Sequence, residues 1–140
     1  MDPATQATAK PLLTVSIPGG GVTGQVFNST ASFNGNRFLF VSENGSVSGW
    51  RPALGTTGLI NAETIAPAST ENIYKGAAIG SVGGQDYLYA ANFKAGTIDV
   101  YKGSASAPAL TGSFTDPGLP AGYAPFNVQN LNGSLYVTYA

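Results

Sequence analysis

The 140-residue sequence predicts an all-β fold, and three observations lead there. Short runs of β-branched and aromatic residues are separated throughout by Gly, Pro, Asn and Asp, the residues that make tight turns. No window sustains a helical period without a Gly, Pro or β-branched interruption, and Ser69 to Tyr74 offers one turn of 3₁₀ helix at most. The third observation is an internal repeat of roughly 50 residues.

Three markers share that period. Arg37-Phe38-Leu39-Phe40-Val41-Ser42, Asp86-Tyr87-Leu88-Tyr89-Ala90-Ala91 and Ser134-Leu135-Tyr136-Val137-Thr138-Tyr139 read alike, with Leu39, Leu88 and Leu135 set 49 and 47 positions apart. Gly45-Ser46-Val47-Ser48-Gly49-Trp50-Arg51 matches Gly96-Thr97-Ile98-Asp99-Val100-Tyr101-Lys102. A proline closes a β-rich run at Pro18, Pro67 and Pro117. Short strands and turns filling such a period are the signature of β-propeller blades, here about two and a half four-stranded blades.

The strands fall in order. Leu13–Ile17, inside a segment 11–18, reads as an outer strand, and residues 1–10 as a disordered lead-in. One blade spans 22–70, with strands near Gly24–Ser29, Phe38–Glu43, Ser46–Trp50 and Ala62–Ala66. The next spans 74–118, with strands near Lys75–Val82, Tyr87–Asn92, Thr97–Tyr101 and Leu110–Thr115. Residues 123–140 supply a further first and second strand, Tyr123–Leu131 and Leu135–Tyr139. The first strands are rich in small residues, as crowding near an axis requires. Trp50 and Tyr101 occupy matching places and should cover seams between blades, each stabilising by roughly 2–3 kcal/mol.

Composition narrows the chemistry. Only 9% of residues are charged and the net charge is −1, so nucleic acid and anionic membrane are poor partners. With no Cys and no His, the chain cannot build a disulfide scaffold, a thiolate zinc site or a Ser-His-Asp triad. No apolar run approaches the ~20 residues of a membrane span, and residues 1–10 lack the pattern of a signal peptide.

A specific resemblance lies in Leu88-Tyr89-Ala90-Ala91-Asn92-Phe93-Lys94-Ala95-Gly96-Thr97-Ile98-Asp99-Val100, followed by Phe114-Thr115-Asp116-Pro117 and by Leu119-Pro120-Ala121-Gly122-Tyr123-Ala124-Pro125-Phe126-Asn127-Val128-Gln129. These stretches resemble a family of uncharacterised bacterial proteins associated with PEP-CTERM export and predicted to be six-bladed β-propellers. Val22-Thr23-Gly24-Gln25-Val26-Phe27-Asn28 and Glu43 to Trp50 are similar to that family's preceding blade. The resemblance implies a roughly six-bladed ring and a secreted or periplasmic setting, and it brings no established activity. Relative to that family the chain is of partial length. Bare blade faces then lead to the expectation of self-association, most simply a homodimer completing the ring.

Candidate binding residues follow from strand position, and none is expected to be catalytic. Glu43 and Asn92, with Tyr139, are expected at equivalent ends of the second strand. There they would line a funnel and offer oxygens to Ca²⁺ or a sugar, or else cap turns. Asn127 and Gln129, with Asn130, fall on an inner first strand, where amides bind a ligand or neighbouring strands. Asp99 is expected on a solvated strand face. The sequence leans toward a non-catalytic scaffold or binding module, with a carbohydrate or other small ligand as candidate. The alternative is a calcium-dependent lactonase-like or sugar-processing propeller enzyme, calcium being the one cofactor considered.

Overall fold

A computed structural model of the chain describes residues 12–111 and 115–140; the segment 1–10, expected to be disordered, lies outside the described residues. The fold is all-β, as the sequence predicts. β1 (Leu13–Ser16) precedes a first sheet built from β2 (Val22–Phe27), β3 (Phe38–Ser42), β4 (Val47–Trp50) and β6 (Glu63–Ala66), in that order and antiparallel throughout. β5 (Gly58–Asn61) leaves this sheet and pairs in parallel with β1. The fourth-strand region is thus split at Ala62, whose N–H donates to Ser16 O at 2.9 Å. The second sheet is β7 (Tyr74–Val82), β8 (Gln85–Asn92) and β9 (Thr97–Lys102). The third is the hairpin of β10 (Pro125–Leu131) and β11 (Ser134–Tyr139).

Ser69 to Tyr74 contains a turn rather than a helix; short 3₁₀ turns occur instead at Phe33–Gly35 and Pro52–Leu54. The sequence predicts a further strand over Leu110–Thr115. Leu110, Thr111 and Thr115 are not in a strand, and residues 112–114 lie outside the described residues.

One irregularity recurs in all three sheets. Val22 faces Ser42, Tyr74 faces Asn92 and Pro125 faces Tyr139; each first strand then bulges by one residue before Gly24, Gly76 and Asn127 resume the ladder. Just outside, Glu43, Phe93 and Ala140 donate their N–H groups to the carbonyls of Gly21, Ile73 and Ala124 at 2.9, 2.8 and 3.1 Å. A β-bulge adds one residue to one strand and sharpens its twist.

This register corrects the sequence alignment by one residue. Leu88 counts back from the bulge to Phe38, not to Leu39, and Leu39 belongs with Tyr89 and Tyr136. Because strand side chains alternate between faces, the offset reverses which face each residue covers. Leu39 and Val41 of the first sheet pack on Leu88, Ala90 and Tyr74 of the second. Tyr87, Tyr89 and Ala91, on the opposite face of β8, pack with Val128, Leu135 and Val137 of the third. Each inter-sheet seam therefore joins one sheet's front to the next sheet's back.

Tyr101 covers the first seam as predicted, packing edge-on to Tyr74 at 6.3 Å. Trp50, paired directly with Phe38, lies on the outward back face of the first sheet. There it donates to Gly55 O at 3.2 Å and borders an apolar groove of about 430 Å³ with Leu13, Val15, Phe38 and Phe40.

β7 lies between β2 and β10. Glycine permits the closest approach. A Cβ on Gly24 would sit 3.0 Å from Ala77 N, 3.1 Å from Gly76 Cα and 2.8 Å from Val41 Cγ2. One on Gly76 would collide with Asn127 Oδ1 and lie 3.0 Å from Asn127 Cα. Gly24→Ala and Gly76→Ala are each expected to cost about 1–3 kcal/mol by overpacking. Gly118→Ala, whose Cβ meets only Asp116 Oδ1 at 3.4 Å, should stay within about 0.5 kcal/mol of the parent. Guanidinium unfolding midpoints provide the comparison.

Candidate functional site

The three first strands border one groove of about 540 Å³. Its middle is β7, where Ala77 and Ala78 keep the surface low, and its flanks are β2 and β10. Gln25 and Gln129 line it from opposite sides; both side chains are exposed, and neither forms a hydrogen bond among the described residues. Two uncommitted carboxamides over a small apolar surface can each donate and accept toward a neutral polar ligand. Gln129 is a sequence-predicted candidate; Gln25 is not. The only signal for Gln25 is its place beside Gly24 in a first strand.

The other candidates are committed elsewhere. Asn130 lines the same groove, but its Nδ2 donates to Ile79 O at 2.9 Å and its Oδ1 accepts Gly133 N–H at 2.9 Å. Asn127 sits against Gly76, and its Oδ1 accepts Val128 N–H at 2.8 Å. Glu43 is exposed and ion-paired with Lys75, linking the first sheet to the bulged residue of β7. The structure also separates it from Asn92 in register. Ser42 is the counterpart of Asn92 and Tyr139, whereas Glu43 is the counterpart of Phe93 and Ala140.

Asn92 is buried at the centre of a polar cluster. Its Nδ2 donates to Asn72 Oδ1 and Asp99 Oδ2, both at 2.9 Å, and its Oδ1 accepts Ile73 N–H and Ala95 N–H, both at 3.2 Å. All four of its hydrogen-bonding positions are occupied. Asp99 is half-buried in this cluster, a departure from the solvated face expected of it. It accepts Tyr74 Oη–H at 2.8 Å and Thr97 Oγ1–H at 3.0 Å. Tyr74 and Tyr101 hydroxyls lie 2.6 Å apart, and Asn72 Nδ2 donates to Tyr74 Oη at 3.1 Å. The cluster ties the approach to β7 to β8 and β9, and its members come too close together only in the fold to be seen as a group in sequence. The matching positions of the first sheet hold Ser42 and Ser48, whose buried hydroxyls have no hydrogen-bond partner among the described residues.

A second, polar hollow of about 470 Å³ lies among Thr30, Ser32, Asn34 and Asp86. Hydrogen bonds from Ser81 and then Thr30, at 2.5 and 2.6 Å, hold the Asp86 carboxyl below its ordinary range. Arg51 and Glu63 form an ion pair beside Asn36. Burial alone would raise Glu63, and the hydrogen bonds from Arg51, Asn36 and Asn34 outweigh it and leave the carboxyl lowered. Among the described residues no three His, Cys, Asp or Glu side chains group as metal ligands, and no helix is long and apolar enough to cross a membrane. Comparison with protein-family models, curated proteins and solved structures finds no match to this chain.

Burial, followed by hydrogen bonds to Tyr101 and Asp99, pushes the Tyr74 phenol far above its ordinary 10.0; burial also raises Tyr101. The native state thus keeps protons that the unfolded chain releases above its pKa of about 10, so stability falls as pH rises through that value. Tyr74→Phe should cost about 1–2 kcal/mol at neutral pH and make the alkaline decline shallower. Denaturant midpoints measured between about pH 7 and 11 test both.

Proposed function

We propose that the chain is a non-catalytic binding scaffold of tandem propeller-type units, working outside the cytoplasm, and that the groove bordered by the first strands takes a neutral polar ligand such as a saccharide. The observation that carries this reading is the shared register of the three first strands, each bulged at the same step, with β7 held between β2 and β10. Front-to-back seams and small residues at the closest approach are what radially arranged blades need. In that arrangement the groove lies toward the ring axis. Gln25 and Gln129 line it with side chains that have no hydrogen-bond partner among the described residues, and carboxamides suit hydroxyl-rich ligands because each offers donors and an acceptor.

The calcium-dependent enzyme is less well supported. Calcium takes 6–8 oxygen ligands, while the Asn92 carboxamide is spent internally and Glu43 is paired with Lys75. The test is titration of the chain with maltose and cellobiose, followed by amide and side-chain NMR shifts. The expected outcome is saturable binding near about 1 mM, with the Gln25 and Gln129 side-chain signals moving. Gln25→Ala and Gln129→Ala should each weaken it by about tenfold. Shifts confined to other surfaces, or none at all, would reject the groove as a saccharide site. A calcium-induced rise in melting temperature that is reversed by EDTA would favour the enzyme instead.

A further inference from the structure

Two sheet faces reproduce the two sides of a seam that the molecule already forms twice. On the outward face of the first sheet, Phe27, Phe38 and Phe40 stand where Ile79, Leu88 and Ala90 stand in the second sheet, and Trp50 stands where Tyr101 does. In the second sheet those positions are packed under Leu39 and Val41. In the first sheet Phe40 is already buried and the groove beside Trp50 is walled on its far side by Leu13 and Val15 of β1, but the groove stays open and Phe27 is 60% exposed, in tilted contact with its neighbour Phe38 at 5.6 Å. On the outward face of the third sheet, Tyr136 takes the place of Tyr89; it is 57% exposed where Tyr89 is 3%. Leu131, directly across the hairpin from Ser134, is also half exposed on that face.

We propose that a second copy of this chain docks head to tail across these faces, β10 and β11 of one copy covering Phe27, Phe38 and the open groove beside Trp50 on the back of the other's first sheet. The proposal rests on the tandem-unit reading and names its partner. Continuity with the internal seams is the argument. At the second seam Tyr89 packs in one cluster with Leu135 of the following sheet, and the equivalent placement sets Tyr136 against Phe38 and its neighbour Phe27 in the second copy. Neither face opposes the contact electrostatically. Gln25, Phe27, Phe38 and Trp50 on one side, and Gln129, Leu131, Ser134, Tyr136 and Thr138 on the other, carry no charge. Edge and face devices that normally keep sheets apart, lysines above all, are missing from both. A contact between different faces closes when two copies serve each other reciprocally, giving a two-fold ring.

Sedimentation velocity on the full chain tests this. The weight-average mass should climb from 14.2 kDa toward twice that value as concentration rises. Phe27→Glu and Tyr136→Glu should each weaken association by about tenfold or more while leaving the far-ultraviolet spectrum unchanged. Because the chain has no cysteine, Phe27→Cys and Tyr136→Cys copies can be mixed and oxidised, and the mixed disulfide should outnumber either like-with-like product. A mass fixed at 14.2 kDa across the range overturns the proposal. So does faster self-coupling of the Tyr136→Cys copy, which would mean pairing along the β11 edge. A monomer that still loses stability on Gly24→Ala and Gly76→Ala would remove only the docking. Indifference to those two substitutions would remove the unit reading itself.

Discussion

The close passage of β2 past β7, and of β7 past β10, is the constraint on which the other features depend. At both crossings a glycine lets one backbone approach another to a distance that a single methyl group would prevent. With the first strands held this near, the sheets cannot lie apart as independent hairpins. The second strand of the middle sheet, β8, is forced to bury both faces: Leu88 and Ala90 serve one seam, Tyr87, Tyr89 and Ala91 the other. A β8 without alternation between apolar and polar residues is the sequence signature of that double burial.

The bulge makes this geometry compatible with continuous pairing. The inserted residues Thr23, Lys75 and Phe126 leave the ladder and link neighbouring sheets instead, each by different chemistry. Thr23 donates to Tyr74 O at 2.6 Å, Lys75 pairs with Glu43, and Phe126 meets Phe93 edge-on at 6.2 Å. A hydroxyl, an ammonium and a ring thus perform one positional task. Position, rather than residue type, is what the three units have in common here.

That difference explains which parts of the fold were legible in the sequence. The second and third strands were visible because aromatic and aliphatic residues recur there, and the pairing of Trp50 with the place of Tyr101 follows from them. The bulge was invisible because Thr23, Lys75 and Phe126 share no side-chain property. Without it the first unit was aligned one residue out, which placed Leu39 with Leu88 and Glu43 with Asn92. Asn92 illustrates the limit for sites. Its type and strand end suited a ligand contact, and only the convergence of Asn72, Tyr74 and Asp99 from separate strands and turns shows that its polar atoms are already occupied. Gln129 was legible from its strand alone. Gln25 was not, because its significance comes from what lies across β7.

Chain length within each hairpin varies while the bulge stays fixed. From Gly24 to its partner Val41 the chain runs 17 positions, from Gly76 to Ala91 it runs 15, and from Asn127 to Thr138 only 11. In the first sheet the extra length lies in the long connection containing Phe33–Gly35; the other two share two-residue turns, Gly83-Gly84 and Asn132-Gly133, and differ in how far the paired strands run before turning. Loop-closure entropy grows only slowly with length, so such connections tolerate insertion. One rim of the molecule is therefore free to diversify, and foreign loops grafted there would leave every glycine crossing where it is.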